Sequence, residues 1–169
     1  MQRYEDFWNV TKAALDSAVR ELQVELNEPQ LASLMHAHLS PSVFPDVRAA
    51  LELPKELPLA ILSNGSPKML ESAVRHNGLE LVFAEVISTD RVRTYKPSPK
   101  VYALATEILG ISAPEILFVS SNWWDAWGAK SFGYTVCWCN RSNATEHPGD
   151  AKPDLTVARL DEISGLLAE

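Results

Sequence analysis

Four short apolar runs in the 169 residues each end in side chains able to hold a small ligand. LPLAILSN closes on Ser63 and Asn64, with Gly65 next. LVFAEVIST, residues 81–89, leads into a loop bearing Arg91, Arg93, Tyr95 and Lys96. EILFVSSN, residues 115–122, ends in Ser120, Ser121 and Asn122, with Asp125 one turn further on. YTVCWCN ends in Asn140, beside Arg141. Hydroxyls and amides both donate and accept hydrogen bonds, Lys96 supplies a cation and Asp125 a carboxylate. Taken singly, each of these is a turn or capping residue. As a set on one rim they are the makings of a binding or catalytic site.

For the ends to share a rim, the runs must be parallel strands. Continuous apolar runs alternating with helical segments imply strands buried on both faces and a parallel sheet with helices on both sides. In such sheets ligands bind beyond the carboxyl ends of the strands. The helices between are well punctuated. SPKMLESAVRHNG has Ser66 as N-cap, Pro67 at the first position and Gly78 after the end. VYALATEILG stops at Gly110, and WDAWGAKSFG follows the third run. DLTVARL and LDEISGLLAE predict a last strand and helix. The opening differs. Phe7, Thr11, Ala14, Leu15, Ala18, Val19 and Leu22 form one stripe on a 3.6-residue period. A second helix runs from Pro29 through Leu31, Leu34, Met35 and Leu39, and a third from about Pro45 to Leu53. The expected architecture is therefore an α/β Rossmann-like sheet over 45–169, preceded by an all-helical segment over 1–44.

Composition narrows the partners. Fifteen basic against 22 acidic residues give a net charge of −7 and an isoelectric point near 5.1. That sign argues against a nucleic-acid surface or an anionic membrane surface. No apolar run approaches the length of a membrane helix, and MQRYEDFWNV has no apolar leader core. Cys137 and Cys139 are too close in sequence for an easy bridge, so a reducing cytoplasm is the expected compartment. His36 and His38 are two apart on a helix and do not face each other, so no metal pair is read there. Trp123, Trp124 and Trp127 read as core and pocket lining, and Arg91 and Arg93 as a solvated loop face. Neither GxGxxG nor GxxxxGK[ST] occurs.

ILSNGSP, YKPSPKVY and LFVSSNWWDAWGAKSFG, in that order, resemble the second, third and fourth motifs of the haloacid dehalogenase superfamily. Within it they are most similar to the L-2-haloacid dehalogenases, and RYEDFWNVT resembles those enzymes' helical cap. Residues 1–44 would then be part of the cap. The resemblance implies a hydrolase that converts an (S)-2-haloacid and water to an (R)-2-hydroxyacid and halide through an aspartyl ester. Ser63, Asn64 and the backbone at Gly65 would bind the substrate carboxylate. Lys96 would pair with the nucleophilic carboxylate, and Asp125 would hold Lys96. Ser120 and Asn122 would position that pair or the hydrolytic water. Tyr102, six residues after Lys96, together with Trp124 and Phe7, would line the substrate pocket. Possible pairing of two copies through the cap follows from the same resemblance. Phosphatases of the superfamily put acidic residues in the fourth motif to hold Mg²⁺. Here the loop is Ser120-Ser121-Asn122, with Asp125 alone acidic, so no metal or other cofactor is expected.

One departure stands out. The superfamily's first motif, an apolar strand ending in Asp-x-x-x-Thr, does not precede Arg3, and Glu5 and Asp6 lie on a helix. The expectation is that the chain as given lacks the nucleophile and the central strand of the sheet, and is inactive alone. A phosphatase-like hydrolase and a non-catalytic chain that binds a small carboxylate or a partner are the competing readings.

Overall fold

Helices begin where the sequence supplies caps. α1 (Phe7–Glu21) starts behind Asp6, whose carboxylate accepts from the Asn9 backbone N–H at 3.1 Å. α2 (Glu28–Ala37) starts with a reciprocal pair. The Asn27 side chain accepts from the Gln30 N–H at 3.0 Å, and the Gln30 side chain accepts from the Asn27 N–H at 2.9 Å. A short α3 (Val47–Ala50) follows, then β1 (Ala60–Ser63), α4 (Pro67–His76) and β2 (Glu85–Ser88). α5 (Pro99–Leu109) and β3 (Leu117–Ser120) lead to α6 (Trp123–Phe132). β4 (Thr135–Cys139), β5 (Leu155–Val157) and α7 (Ile163–Leu166) complete the order. The computed structural model describes residues 4–52, 57–146 and 149–166.

These residues pack as two units. The first comprises the described residues up to Val43 together with Leu59–Thr94. β1 and β2 pair in parallel, from Ala60 opposite Glu85 to Ser63 opposite Ser88. Met69 and Val74 of α4, with Leu79 and Ile87, are buried there. α1 has no buried residue and Met35 is the buried residue of α2, so the predicted stripe is only partly covered. The Tyr4 hydroxyl bonds Asp90, and the Arg93 guanidinium lies 5.2 Å from the centre of the Tyr4 ring. The start of α1 is thereby tied to the loop after β2.

The second unit comprises the described residues of 44–58 and those from Tyr95 onward. Its parallel sheet has the order β3-β4-β5, with Phe118 opposite Val136 and Trp138 opposite Thr156. Four of the five β4 residues are buried, which is why its sequence is continuously apolar. Cys137 and Cys139 pack with Val157 and Ile163. Tyr134 joins Tyr102, Phe118 and Phe132 in an aromatic cluster with ring centres 5.3–5.8 Å apart. Both thiols are free, and burial pushes the Cys137 thiol up to about 11.

The mixed α/β architecture with parallel strands is as expected, but the strands are shorter than the apolar runs. Of 81–89 only Glu85–Ser88 is strand, and Leu81 is fully exposed. The 45–53 helix shrinks to α3, and Leu53 lies outside the described residues. Grouping by packing is a different matter from a division into cap and core at 44/45, which remains an expectation.

Asp46 ties the segment around α3 to the rest of the second unit. It is 3% exposed, and its Oδ2 accepts from Arg141 Nη1 and from the Leu160 backbone N–H, each at 2.6 Å. Arg141 in turn stacks on Phe44, 4.4 Å from the ring centre. Burial opposes ionisation of Asp46, but the bonds from Arg141 and Leu160 outweigh it, and the carboxyl titrates below its ordinary value of 3.8. A carboxyl whose pKa is lower in the folded state adds stability above 3.8 and loses it as pH falls through the folded value. Asp46→Asn should therefore cost about 1–3 kcal/mol at pH 7. In urea unfolding across pH 2–7 the gap to the unsubstituted protein should close with acid; a gap that widens would contradict the assignment.

Candidate functional site

Ser120 ends β3, and Asn122 is the N-cap of α6 without a side-chain capping bond. The Asn122 backbone N–H donates to Ser120 Oγ at 3.2 Å, closing the strand-to-helix turn. The first turn of α6 then carries Asp125 inward, where it is 4% exposed, while Trp124 stays 46% exposed. A carboxylate near a helix N-terminus is favoured by the backbone dipoles, but burial this deep needs direct donors. Three are present. Lys96 Nζ donates to Oδ2 at 3.0 Å, and so does Ser120 Oγ at 3.0 Å. The Tyr102 hydroxyl donates to Oδ1 at 2.9 Å. Both oxygens of Asp125 are thus engaged, from the end of β3, from the residues just before α5 and from α5 itself.

The Lys96 and Asp125 side chains are 8% and 5% exposed. Burial pushes the Lys96 amine below its ordinary value, while the charge and hydrogen bond of Asp125 pull it back part of the way. The Phe118 ring lies 4.7 Å from Lys96 Nζ and adds a favourable face for the cation. Tyr102 is pushed well above the ordinary phenol value by burial, by the Asp125 charge and by its bond to Asp125. At neutral pH it is a committed hydrogen-bond donor. The cluster is one fixed carboxylate with a cation and two hydroxyls around it.

The structure brings together Lys96, Tyr102, Ser120 and Asp125, with Asn122 supplying a backbone contact. Trp124 is in the same unit, half-exposed on α6. Ser63, Asn64, Gly65 and Phe7 lie in the other unit. There the Gly65 N–H donates to Ser63 Oγ at 3.1 Å, and the Gly65 carbonyl accepts from Ser88 Oγ at 2.7 Å. Both backbone groups of Gly65 are thus engaged, and the turn holds the Ser63 hydroxyl in place. Asp90 and Thr94 carry the Asp-x-x-x-Thr spacing after β2, but the Asp90 carboxylate is bonded to the Tyr4 hydroxyl. Sequence reasoning missed Phe118 and Gly128, which contact Lys96 and Tyr102 respectively. Phe118 read as an ordinary strand residue, and its contact depends on a loop 22 positions away in sequence. Among the described residues no three His, Cys, Asp or Glu side chains are grouped to hold a metal ion.

Comparison with known proteins gives this cluster a context. The profile of the haloacid dehalogenase-like hydrolases matches residues 2–133. The chain is 41% identical over 169 residues to (S)-2-haloacid dehalogenase 2 of Pseudomonas sp. (strain CBS-3), spanning 99% of this chain and 74% of that protein. The crystal structure of the L-2-haloacid dehalogenase RSc1362 superposes with a TM-score of 0.94 at 40% identity, over 98% of this chain and 74% of that one. The L-2-haloacid dehalogenase from Xanthobacter autotrophicus with chloropropionic acid covalently bound superposes with a TM-score of 0.90 at 36% identity, over 98% and 77% of the two chains.

Removing one member of a buried ion pair strands the other. Asp125→Ala should lower the unfolding free energy by about 3–5 kcal/mol. The double substitution Lys96→Met with Asp125→Leu leaves no buried charge and should cost less than Asp125→Ala alone. Urea titrations of the three proteins check this; a double variant less stable than Asp125→Ala would contradict the pairing.

Proposed function

The chain belongs to the haloacid dehalogenase-like hydrolases, a family acting on carbon–halide bonds, and from that premise we propose that its substrate is a small (S)-2-haloacid. The observation that carries the proposal is the buried Lys96–Asp125 pair with Tyr102 and Ser120 on the same carboxylate. It supplies a held cation without a second carboxylate in the fourth motif.

In this reading a carboxylate oxygen attacks C2 of the acid, the carbon–halogen bond breaks with its electron pair leaving as halide, and an aspartyl ester forms with inversion. Water then hydrolyses the ester, returning the carboxylate and releasing the (R)-2-hydroxyacid. Lys96 keeps the attacking carboxylate ionised and oriented, and Asp125 fixes Lys96. Ser120 and Asn122 hold that pair or the hydrolytic water. Ser63 and Asn64 are assigned to the substrate carboxylate, with Gly65 shaping the turn that presents them, and Tyr102, Trp124 and Phe7 to the pocket walls. A dry pocket favours displacement by a carboxylate. The covalently bound chloropropionic acid of the Xanthobacter autotrophicus enzyme supports the ester step by analogy.

No residue of 1–169 is assigned to the nucleophile. Both oxygens of Asp125 are committed to its partners, and Asp90 is engaged with Tyr4. We therefore expect residues 1–169 to bind the acid without turning it over. Asp125, as the single acid of a neutral motif, is a poor Mg²⁺ ligand set, and no cofactor is assigned. A cytoplasmic setting and pairing of two copies through the 1–44 cap segment, with the α/β core at 45–169, belong to the same reading.

Calorimetric titration with (S)-2-chloropropionate, alongside a chloride electrode, tests it. Saturable binding of the S enantiomer with no chloride release is the expected result. Chloride release by residues 1–169 would overturn the nucleophile assignment. Absence of binding, or Mg²⁺-dependent phosphate release from a phosphate monoester, would overturn the substrate.

A further inference from the structure

Gly128 follows Asp125 by three positions on α6, so the two share a helix face one turn apart. That face meets the residues that serve Asp125. A Cβ built at Gly128 would stand 2.6 Å from the Pro97 Cβ, 2.7 Å from the Tyr102 hydroxyl oxygen and 3.4 Å from Tyr102 Cε2. Favourable contacts between carbon atoms begin at about 3.5 Å, so a methyl group there needs a displacement approaching 1 Å. Neither neighbour yields easily. Pro97 is a rigid ring bonded directly to Lys96. Tyr102 is 0% exposed, with the rings of Phe118, Phe132 and Tyr134 each centred 5.8 Å away. The Tyr134 hydroxyl also donates to the Tyr102 carbonyl at 2.6 Å, pinning its backbone.

We propose that Gly128 is a positioning residue of the site, and that its bare helix face is what lets the Tyr102 hydroxyl reach Asp125 Oδ1. The inference rests on the reading of the Lys96–Asp125 cluster as the working part of a 2-haloacid site. Asp125 presents one oxygen to Lys96 and Ser120 and the other to Tyr102. A side chain at 128 enters between α6 and Tyr102 and takes the space the hydroxyl occupies. Displacing Tyr102 leaves Oδ1 buried without its donor and frees Asp125 to rotate away from Lys96. Gly128 therefore acts through Tyr102 and contacts no substrate itself. Any side chain at 128 is excluded for this reason, independently of backbone conformation, because the residue lies within a regular helix.

The test is a four-protein cycle: the unsubstituted chain, Gly128→Ala, Tyr102→Phe and the double variant. Affinity for (S)-2-chloropropionate is measured by calorimetry, and the Tyr102 Cζ resonance by carbon-13 NMR with Tyr102→Phe for assignment. Gly128→Ala should weaken binding about tenfold or more, the scale of leaving one buried acceptor without its donor. It should also shift the Tyr102 Cζ resonance. In the Tyr102→Phe background the same alanine should change affinity much less, because Asp125 Oδ1 has already lost the donor that the alanine would displace. If Gly128→Ala does not fold, removing both close contacts together, with Tyr102→Phe and Pro97→Gly, should restore folding to it. An alanine effect equally large with and without the hydroxyl, an unmoved Cζ resonance, or a variant relieved of both contacts that still fails to fold would overturn the inference. Should the unsubstituted chain bind no haloacid, the substrate reading fails while the resonance shift still decides the role of Gly128.

Discussion

A carboxylate buried to 5% exposure is the constraint around which the second unit is arranged. Moving an ionised carboxyl out of water costs several kcal/mol even after relaxation, and only close donors offset it. Asp125 has three, drawn from separate parts of the chain. Each donor imposes its own demand. Ser120 must end β3 one turn before Asp125, which fixes the strand-to-helix turn. Lys96 must lie beside β3, where Phe118 provides a face for it. Tyr102 must point from α5 into the aromatic cluster it shares with Phe118 and Tyr134, and α6 must carry no side chain where it meets that tyrosine. The packing of α5 on α6 thus serves packing and chemistry at once.

The same arrangement separates this site from one built to hold a divalent cation. A hard cation needs several carboxylate oxygens facing an open space, whereas both oxygens of Asp125 face donors already in the fold. The cation in this position is covalently part of the chain, on a lysine whose burial lowers its proton affinity and whose partner raises it. Such balanced pairs can hold a charge in place for work on a ligand rather than for stability alone.

Much of this was legible in the sequence because it is local. Proline and glycine marked helix ends at Pro67, Gly78 and Gly110, and apolar runs marked the five strands of the described residues within a few positions. Lys96, Ser120 and Asp125 could be picked out because they follow strand ends that are readable along the chain, whereas Tyr102 is singled out by the family resemblance alone. What could not be read depends on contacts distant in sequence. Leu79–Phe83 looks as apolar as the strand it precedes, yet Leu81 is fully exposed and only Glu85–Ser88 finds a partner in β1. The α1 stripe is regular but none of its residues is buried, since periodicity states which side is apolar and not whether anything covers it. Asp46 carries no signal in the sequence, because its partners Arg141 and Leu160 lie 95 and 114 positions away. Gly128 looked like one small residue among several in WDAWGAKSFG, and its role exists only because Pro97 and Tyr102 arrive there.

The buried charge itself is open to direct measurement. Titration of the Lys96 side chain, followed by NMR at Cε and Nζ, should place its pKa below the ordinary 10.5. In Asp125→Asn it should fall further, because burial then acts without the opposing carboxylate. A Lys96 amine titrating at or above 10.5 in the unsubstituted protein would contradict a buried, carboxylate-matched cation, and with it the account of the site.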